Sequence, residues 1–261
     1  MRERKTMRVL IIIPAYNEEK SLKRVMEHLK AVCPQLDYLI INDGSTDRTK
    51  AICIENQYHV MHFPENQGLT KVIQTGMRYA LERDYDAALQ FDADGQHLPE
   101  YIESMVSLME ETGCDIVIAS RFKDGKMPFR LRTLGEKLIS AAIRLTTGQS
   151  LTDPTSGMRL YGRRIIRQFA RDSSCAPEPD TIAYMVRMGA NVQEVKVEME
   201  DRKEGKSYLT PVNATKYMIK ELSSILIFQW FRGKKSIAEG TDNTKRAEFR
   251  ELERVAGGRK L

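Results

Sequence analysis

Short apolar runs alternate with stretches of helical periodicity through the first 120 residues of the chain. Residues 8–13, 38–42, 59–63, 87–92 and 115–120 read as strands, and four of these runs are apolar enough to be buried on both faces, as parallel strands are. Between them the spacing predicts helices over 18–32, 47–55, 70–82 and 99–111, the last opened by Pro99, which suits a first helical turn. This β-α-β-α order predicts a Rossmann-like α/β fold. Its mostly parallel central sheet would be flanked by helices and would take ligands at the carboxyl ends of the strands.

After Ser120 the rhythm changes. A basic loop over 121–132 leads to a helix near 134–146, a turn rich in Gly, Ser, Thr and Pro over 148–157, and a short strand over 158–161. Helices over 163–170 and 178–188 and a strand over 192–199 follow. The expected organisation is one α/β domain over residues 1–210, an amphipathic helix over 211–233 and a charged flexible tail over 234–261.

Composition narrows the function classes. With 261 residues and 41% hydrophobic positions, the chain can bury one ordinary α/β core. Its apolar runs fall short of the ~20 residues that span a bilayer, and the charged start runs into Pro14 without a cleavage site, so neither a transmembrane segment nor a signal peptide is expected. Cys33, Cys53, Cys114 and Cys175 are scattered without a Cys-x-x-Cys pair, which excludes zinc and disulfide frameworks and fits reduced thiols in the cytosol. The net charge of +5 is uneven: from Arg202 onward there are 14 basic and 7 acidic residues. Such a tail reads as a solvated segment or as a contact for a polyanion, either nucleic acid or an anionic membrane. The nucleic-acid reading rests on the tail alone.

Three strand ends carry candidate chemistry. The first is Pro14-Ala-Tyr-Asn-Glu-Glu19 and the second Asn42-Asp-Gly-Ser-Thr-Asp47, both where a doubly wound sheet binds its ligand. Read locally, Asn17, Ser45 and Thr46 are helix caps and Asp43-Gly44 is a turn. No Gly-x-Gly-x-x-Gly follows the first strand and no Walker loop occurs, so a nucleotide bound here is not cradled by a glycine loop. The third is Phe91-Asp-Ala-Asp-Gly-Gln-His97. Its two carboxylates can face one hard cation, and Mg²⁺ or Mn²⁺ held this way completes its shell with substrate phosphates. An EF-hand starting at Asp92 is excluded, because His97 stands where the loop requires glycine. His59 and His62, three apart on a predicted strand, point to opposite faces and cannot share a metal.

Together with Asp153-Pro-Thr-Ser-Gly-Met-Arg159, these motifs occur in the order and spacing of the family 2 glycosyltransferases, whose nucleotide-sugar-binding domain is called GT-A. The resemblance spans residues 7–210 and is strongest to the polyprenyl-phosphate branch. It implies an inverting hexosyltransferase that moves a hexose or N-acetylhexosamine from a UDP- or GDP-sugar to a polyprenyl phosphate, with Mg²⁺ or Mn²⁺ as cofactor. A transferase acting on a sugar hydroxyl in wall or capsule synthesis is the alternative. By resemblance, Pro14, Ala15, Tyr16, Glu18, Asp43 and Asp92 would hold the donor nucleotide. Asp92, Asp94 and Gln96 would hold the metal and diphosphate, Asp94 acting in catalysis, and Asp153 is the family's candidate base. Arg121, Arg132, Arg202 and Lys206 would meet the acceptor phosphate. The related pattern Arg-x-x-Gly-x-Ser-Lys departs here at Tyr208, with Lys206 as its substitute.

Bland roles stand beside these. Asp153 could stiffen its turn, Glu178-Pro-Asp180 suits a helix start, and single loop arginines are commonly solvated. A hydroxyl acceptor needs a general base, whereas a phosphate already carries negative oxygens at neutral pH. The 211–231 segment, with Phe228, Trp230 and a basic flank, reads either as an interfacial anchor or as a helix packed on its own domain. The expected setting is peripheral, at the inner face of the cell membrane, docked directly or on a small membrane-protein subunit, with no nucleic-acid partner.

Overall fold

The computed structural model describes residues 6–124, 131–200 and 211–227, and their side chains except at 131–133 and 211–214. In chain order the elements are β1 (Val9–Ala15), α1 (Leu22–Val32), β2 (Asp37–Asn42), α2 (Thr49–Glu55), β3 (Val60–His62), α3 (Leu69–Glu82) and β4 (Ala87–Gln90). They continue with α4 (Ile102–Thr112), β5 (Ile116–Ser120), α5 (Leu131–Thr147), β6 (Arg159–Gly162), α6 (Arg163–Arg171), α7 (Pro179–Arg187), β7 (Val192–Lys196) and α8 (Pro211–Leu226). The strands form one sheet in the order β3-β2-β1-β4-β6-β5-β7. Every pairing is parallel except those of β6, which runs antiparallel between β4 and β5.

Burial on both faces explains the continuous apolar strands. Leu10 and Ile12 of β1 point into one core with α3, α5, α6 and α7, while Ile11 and Ile13 point into the other with α1 and α4. The reversal at β6 brings the turn that precedes it beside the carboxyl end of β4, because Gln90 pairs with Arg159.

Several predicted boundaries move, each for a local reason. Helix α1 begins at Leu22 rather than Glu18, because Asn17 adopts a left-handed φ of 57° and the amides of residues 17–19 bond across to the next loop. Pro99 opens a 3₁₀ turn, Pro99–Tyr101, and the α-helix starts at Ile102. Strand β7 stops at Lys196, where its register with Ser120 at the end of β5 runs out. Helix α8 is described to Leu226, so Phe228 and Trp230 lie outside the described residues, as does the 234–261 tail.

One face of α8 packs on its own domain. Met218 and Leu222 flank the core that Ile225 enters, while Ile219, Leu226 and Ile227 stay exposed. Polar contacts tie the helix to the start of α7. Tyr217 donates to Glu178 (2.6 Å), Ser224 donates to Asp180 (2.7 Å), and the Asp180 N–H donates to Glu221 (3.2 Å). Glu178-Pro-Asp180 is thus a docking point for α8 as well as a helix start.

Glu221 is fully buried; that burial, with Asp180 and Glu178 nearby and only partial relief from Lys220, pushes its carboxyl up to about 7. The folded chain therefore holds this proton more tightly than the unfolded chain does. The associated stability is complete below the ordinary value of 4.5, declines as pH rises from there to about 7, and is absent above. A shift of that size corresponds to at most about 3 kcal/mol. Glu221→Gln should narrow the difference in Tm between pH ~5 and ~8, measured by thermal unfolding. An unchanged difference would show that Glu221 is not its source.

Candidate active site

The loops after β1 and β2 are laced together. Asn17 Oδ1 accepts the amides of Thr46 (2.9 Å) and Asp47 (3.4 Å), so Asn17 caps the neighbouring loop rather than its own helix. In return the amides of Asn17, Glu18 and Glu19 donate to Ser45 Oγ (2.9 Å), Thr49 Oγ1 (2.8 Å) and Asp47 Oδ2 (3.0 Å). Glu18 itself accepts from Ser21 Oγ at 2.5 Å. Pro14 and the buried Ala15 end β1, and Tyr16 presents its ring at 40% exposure on the rim.

Asp43 is buried and both its oxygens accept backbone amides, from Gln67 (2.7 Å) and Gly68 (2.9 Å). It fixes the start of α3 against the β2 loop. Gly44 permits this approach: its φ is +65°, and a Cβ there would lie 2.3 Å from the carbonyl carbon of Glu65. The exposed Tyr16 ring on these laced loops suits the face of a nucleobase, with the buried Asp43 holding the neighbouring loop in place.

Asp92 and Asp94 follow β4. Asp92 keeps a side chain 34% exposed, with Oδ1 accepting from Gln90 Nε2 at 3.2 Å. The Asp92 N–H donates to His97 Nδ1 (2.9 Å), so neutral His97 carries its proton on Nε2, which faces Asp92 Oδ2 at 3.7 Å. His97 therefore orients Asp92 and presents no lone pair to a metal. Asp94 Oδ1 accepts the Gln96 amide (3.0 Å). The Gln96 backbone carbonyl accepts the Glu200 amide (3.1 Å), which ties this turn to the chain leaving β7. Among the described residues no three His, Cys, Asp or Glu side chains form a metal cage. Two carboxylates on a turn with substrate phosphates fit Mg²⁺ or Mn²⁺ better than a closed protein site does.

The turn before β6 closes the site from the other side. Gly157 lies against Asp92, where a Cβ would come 2.9 Å from Oδ2. The fully buried Arg159 holds the turn from beneath, donating to the carbonyls of Ser156 (2.7 Å) and Pro154 (2.8 Å). Asp153 is completely buried and both its oxygens are taken by Arg121, from Nε (2.7 Å) and Nη2 (2.8 Å), with the Arg121 amide adding a third bond (3.0 Å). Burial works against the Arg121 charge, but Asp153 and Glu136 outweigh it and lift its pKa above the ordinary arginine value. The Arg121 side chain remains 23% exposed, and its Nη1 meets no acceptor among the described residues.

Arg202 and Lys206 lie outside the described residues, and Arg132 is placed only by its backbone, in the first turn of α5. Two residues that the sequence did not point to complete the geometry. Glu194 of β7 accepts the amides of Thr152 and Asp153 (2.9 Å each), and Glu136 of α5 lies 3.6 Å from Arg121. Gly157 belongs to the Asp153 motif, but its contact with Asp92 is visible only in the structure. A carboxylate in the middle of a strand was the available signal for Glu194.

A mostly parallel sheet with one antiparallel insertion, an Asp-x-Asp turn at its carboxyl edge and laced loops after the first two strands together define a GT-A glycosyltransferase. The model of Glycosyl transferase family 2 matches residues 10–169, and the chain belongs to that family. It is 30% identical over 253 residues to polyprenol monophosphomannose synthase of Mycolicibacterium smegmatis, covering 91% of this chain and 92% of that one. It is 32% identical to undecaprenyl-phosphate mannosyltransferase of Micrococcus luteus, covering 78% and 88%. Among solved structures, glucosyl-3-phosphoglycerate synthase from Mycobacterium tuberculosis, in complex with Mn²⁺ and UDP-glucose, shares the fold with a TM-score of 0.61 at 17% identity, over 84% of this chain and 79% of that one. The chain is thus a family 2 glycosyltransferase, related to enzymes named for polyprenol phosphates.

The contact between Gly157 and Asp92 has a measurable consequence. Gly157→Ala should displace the Asp92 carboxylate and lower transferase kcat/KM about ten- to a hundredfold, since misplacements near 1 Å cost that much. Thermal unfolding should move little. Unaltered turnover would show that this contact does not set the position of Asp92.

Proposed function

We propose that the protein transfers a hexose or N-acetylhexosamine from a UDP- or GDP-sugar to a polyprenyl phosphate, at the inner face of the cell membrane. The observation that supports a phosphate acceptor is the pairing of Asp153 with Arg121. A hydroxyl acceptor needs a base within hydrogen-bond reach. Asp153 has no exposure and spends both oxygens on Arg121. Its role in this reading is to position a guanidinium, the group best suited to phosphate oxygens.

Tyr16 and Asp43, on the loops fixed by Asn17 and Gly44, receive the base, with Pro14, Ala15 and Glu18 completing the nucleotide site. Asp92, Asp94 and Gln96 face the diphosphate and are the residues that would hold Mg²⁺ or Mn²⁺. When bound, such an ion supplies counter-charge to the leaving diphosphate. Arg121, with Arg132, Arg202 and Lys206, orients the acceptor phosphate, whose oxygen attacks the anomeric carbon as its bond to the diphosphate breaks. The product is inverted at that carbon and a nucleoside diphosphate leaves. No proton has to be removed from the acceptor, so no base is assigned.

Thermal-shift measurements across UDP- and GDP-sugars with Mg²⁺ or Mn²⁺ should single out the donor. Arg121→Lys keeps the charge but loses the two-pronged contact with Asp153, and should raise the KM for polyprenyl phosphate about tenfold with a smaller change in kcat. Asp153→Asn should act in the same direction and leave the shape of the pH–rate profile intact. A fall in kcat of about a thousandfold, with the basic limb of that profile altered and KM unmoved, would instead make Asp153 a general base and favour a sugar-hydroxyl acceptor.

A further inference from the structure

A glutamine buried in an apolar sheet needs a reason, because its amide carries donors and an acceptor into a place that water does not reach. Gln90 closes β4, two residues before Asp92, and is almost completely buried. Its Nε2 donates to Asp92 Oδ1 at 3.2 Å. The reverse orientation of the amide would set Oε1 against a carboxylate oxygen, acceptor against acceptor. With Oδ1 held in this way the Asp92 carboxylate is kept from turning, and Oδ2 is the oxygen left for a cation. Gly157 gives Oδ2 its room on the other side.

The other end of the amide stands beside a buried charge. Gln90 pairs in register with Arg159 of β6, so both side chains rise from the same face of the sheet, with Cβ atoms about 5 Å apart. Gln90 Oε1 and Arg159 Nη1 are enclosed and have no hydrogen-bond partner among the described residues. The hydroxyl of Tyr161, two residues along on the same face as Arg159, is a third such group. These leftovers are complementary: one internal water can accept from the guanidinium and donate to the amide oxygen and the hydroxyl. The arginine charge, felt through that bond, polarises the amide and strengthens its N–H toward Asp92. Arg159 also holds the carbonyls of Pro154 and Ser156, so this one amide stands between the Asp153 turn and Asp92.

We propose that Gln90 is a positioning residue for Asp92, braced by Arg159, and that it decides which oxygen this carboxylate offers to a divalent cation. It acts through Asp92 and touches neither cation nor sugar. Its role toward a cation rests on the reading above, in which Asp92 is one of the residues that hold Mg²⁺ or Mn²⁺. Bonds of this kind, one step behind a metal-holding group, set metal affinity or rate by about ten- to a hundredfold.

Calorimetric titration of UDP and of GDP into the full chain, once with Mn²⁺ and once with EDTA, tests this. The quantity read is the gain in nucleotide affinity that Mn²⁺ brings. Gln90→Met keeps the length and burial of the side chain but has no donor, and should cut that gain about tenfold while the affinity in EDTA stays at the wild-type value. Gln90→Glu keeps the shape and sets an acceptor against Asp92, so it should cut the gain further. Both variants should lower kcat and leave the KM for polyprenyl phosphate in place. An undiminished gain in both variants overturns the role of Gln90 and leaves the metal reading standing. Affinities that fall equally with Mn²⁺ and with EDTA overturn it too, since they show a general packing defect. A wild type that binds both nucleotides equally well with and without Mn²⁺ refutes the metal reading, and the role of Gln90 with it.

Discussion

A carboxylate with no access to water has to be matched by a cation, and the match between Asp153 and Arg121 organises this site. Asp153 sits in the turn before the one antiparallel strand, and Arg121 stands where β5 ends. Their pairing closes the loop between the two strands at its ends. Glu194 holds the same turn from β7 and Arg159 holds it from below, so four elements fix one guanidinium. The cost of leaving either charge unpaired in this setting makes the geometry stiff. The same turn carries Gly157 to the Asp92 carboxylate, which joins the Asp153 turn to the Asp-x-Asp turn.

Helix α5 links that centre to the outside. Its inner face delivers Glu136 to Arg121, its flank receives α8 at Gly135, and its outer face exposes leucines among lysine and arginine. The acceptor proposed here is part lipid and part phosphate, and the two ends of such a molecule belong in different solvents. Helix α8 contributes through one packed face and one open face, so the two sequence readings of this segment describe its opposite sides.

Much of the fold was legible because buried parallel strands read as unbroken apolar runs. β1 and β5 stand close to where their runs place them. The boundaries that shifted were set by contacts between segments far apart in sequence: the amides of residues 17–19 prefer the β2 loop, and β7 ends where β5 ends. The Asp-x-Asp turn and the Asp153 turn were visible as motifs, but the union of Asp153 with Arg121 was not, since nothing in local spacing reports a bond between residues 32 apart. Glu194 and Glu136 escaped for the same reason, as did the contact of Gly157 with Asp92, each role arising only when the sheet brings its neighbour into reach. The exposed leucines of α5 were concealed differently: they have the spacing of a core face, and only their exposure distinguishes them.

Nucleoside diphosphate release by the purified protein, supplied with donor sugar and either polyprenyl phosphate or the unphosphorylated polyprenol, tests the central claim most directly. A site built around a positioned guanidinium, with Asp153 spent on holding it, should turn over with the phosphate and remain idle with the alcohol. Comparable release with the alcohol would mean that a base operates here after all and that Arg121 does not read the acceptor.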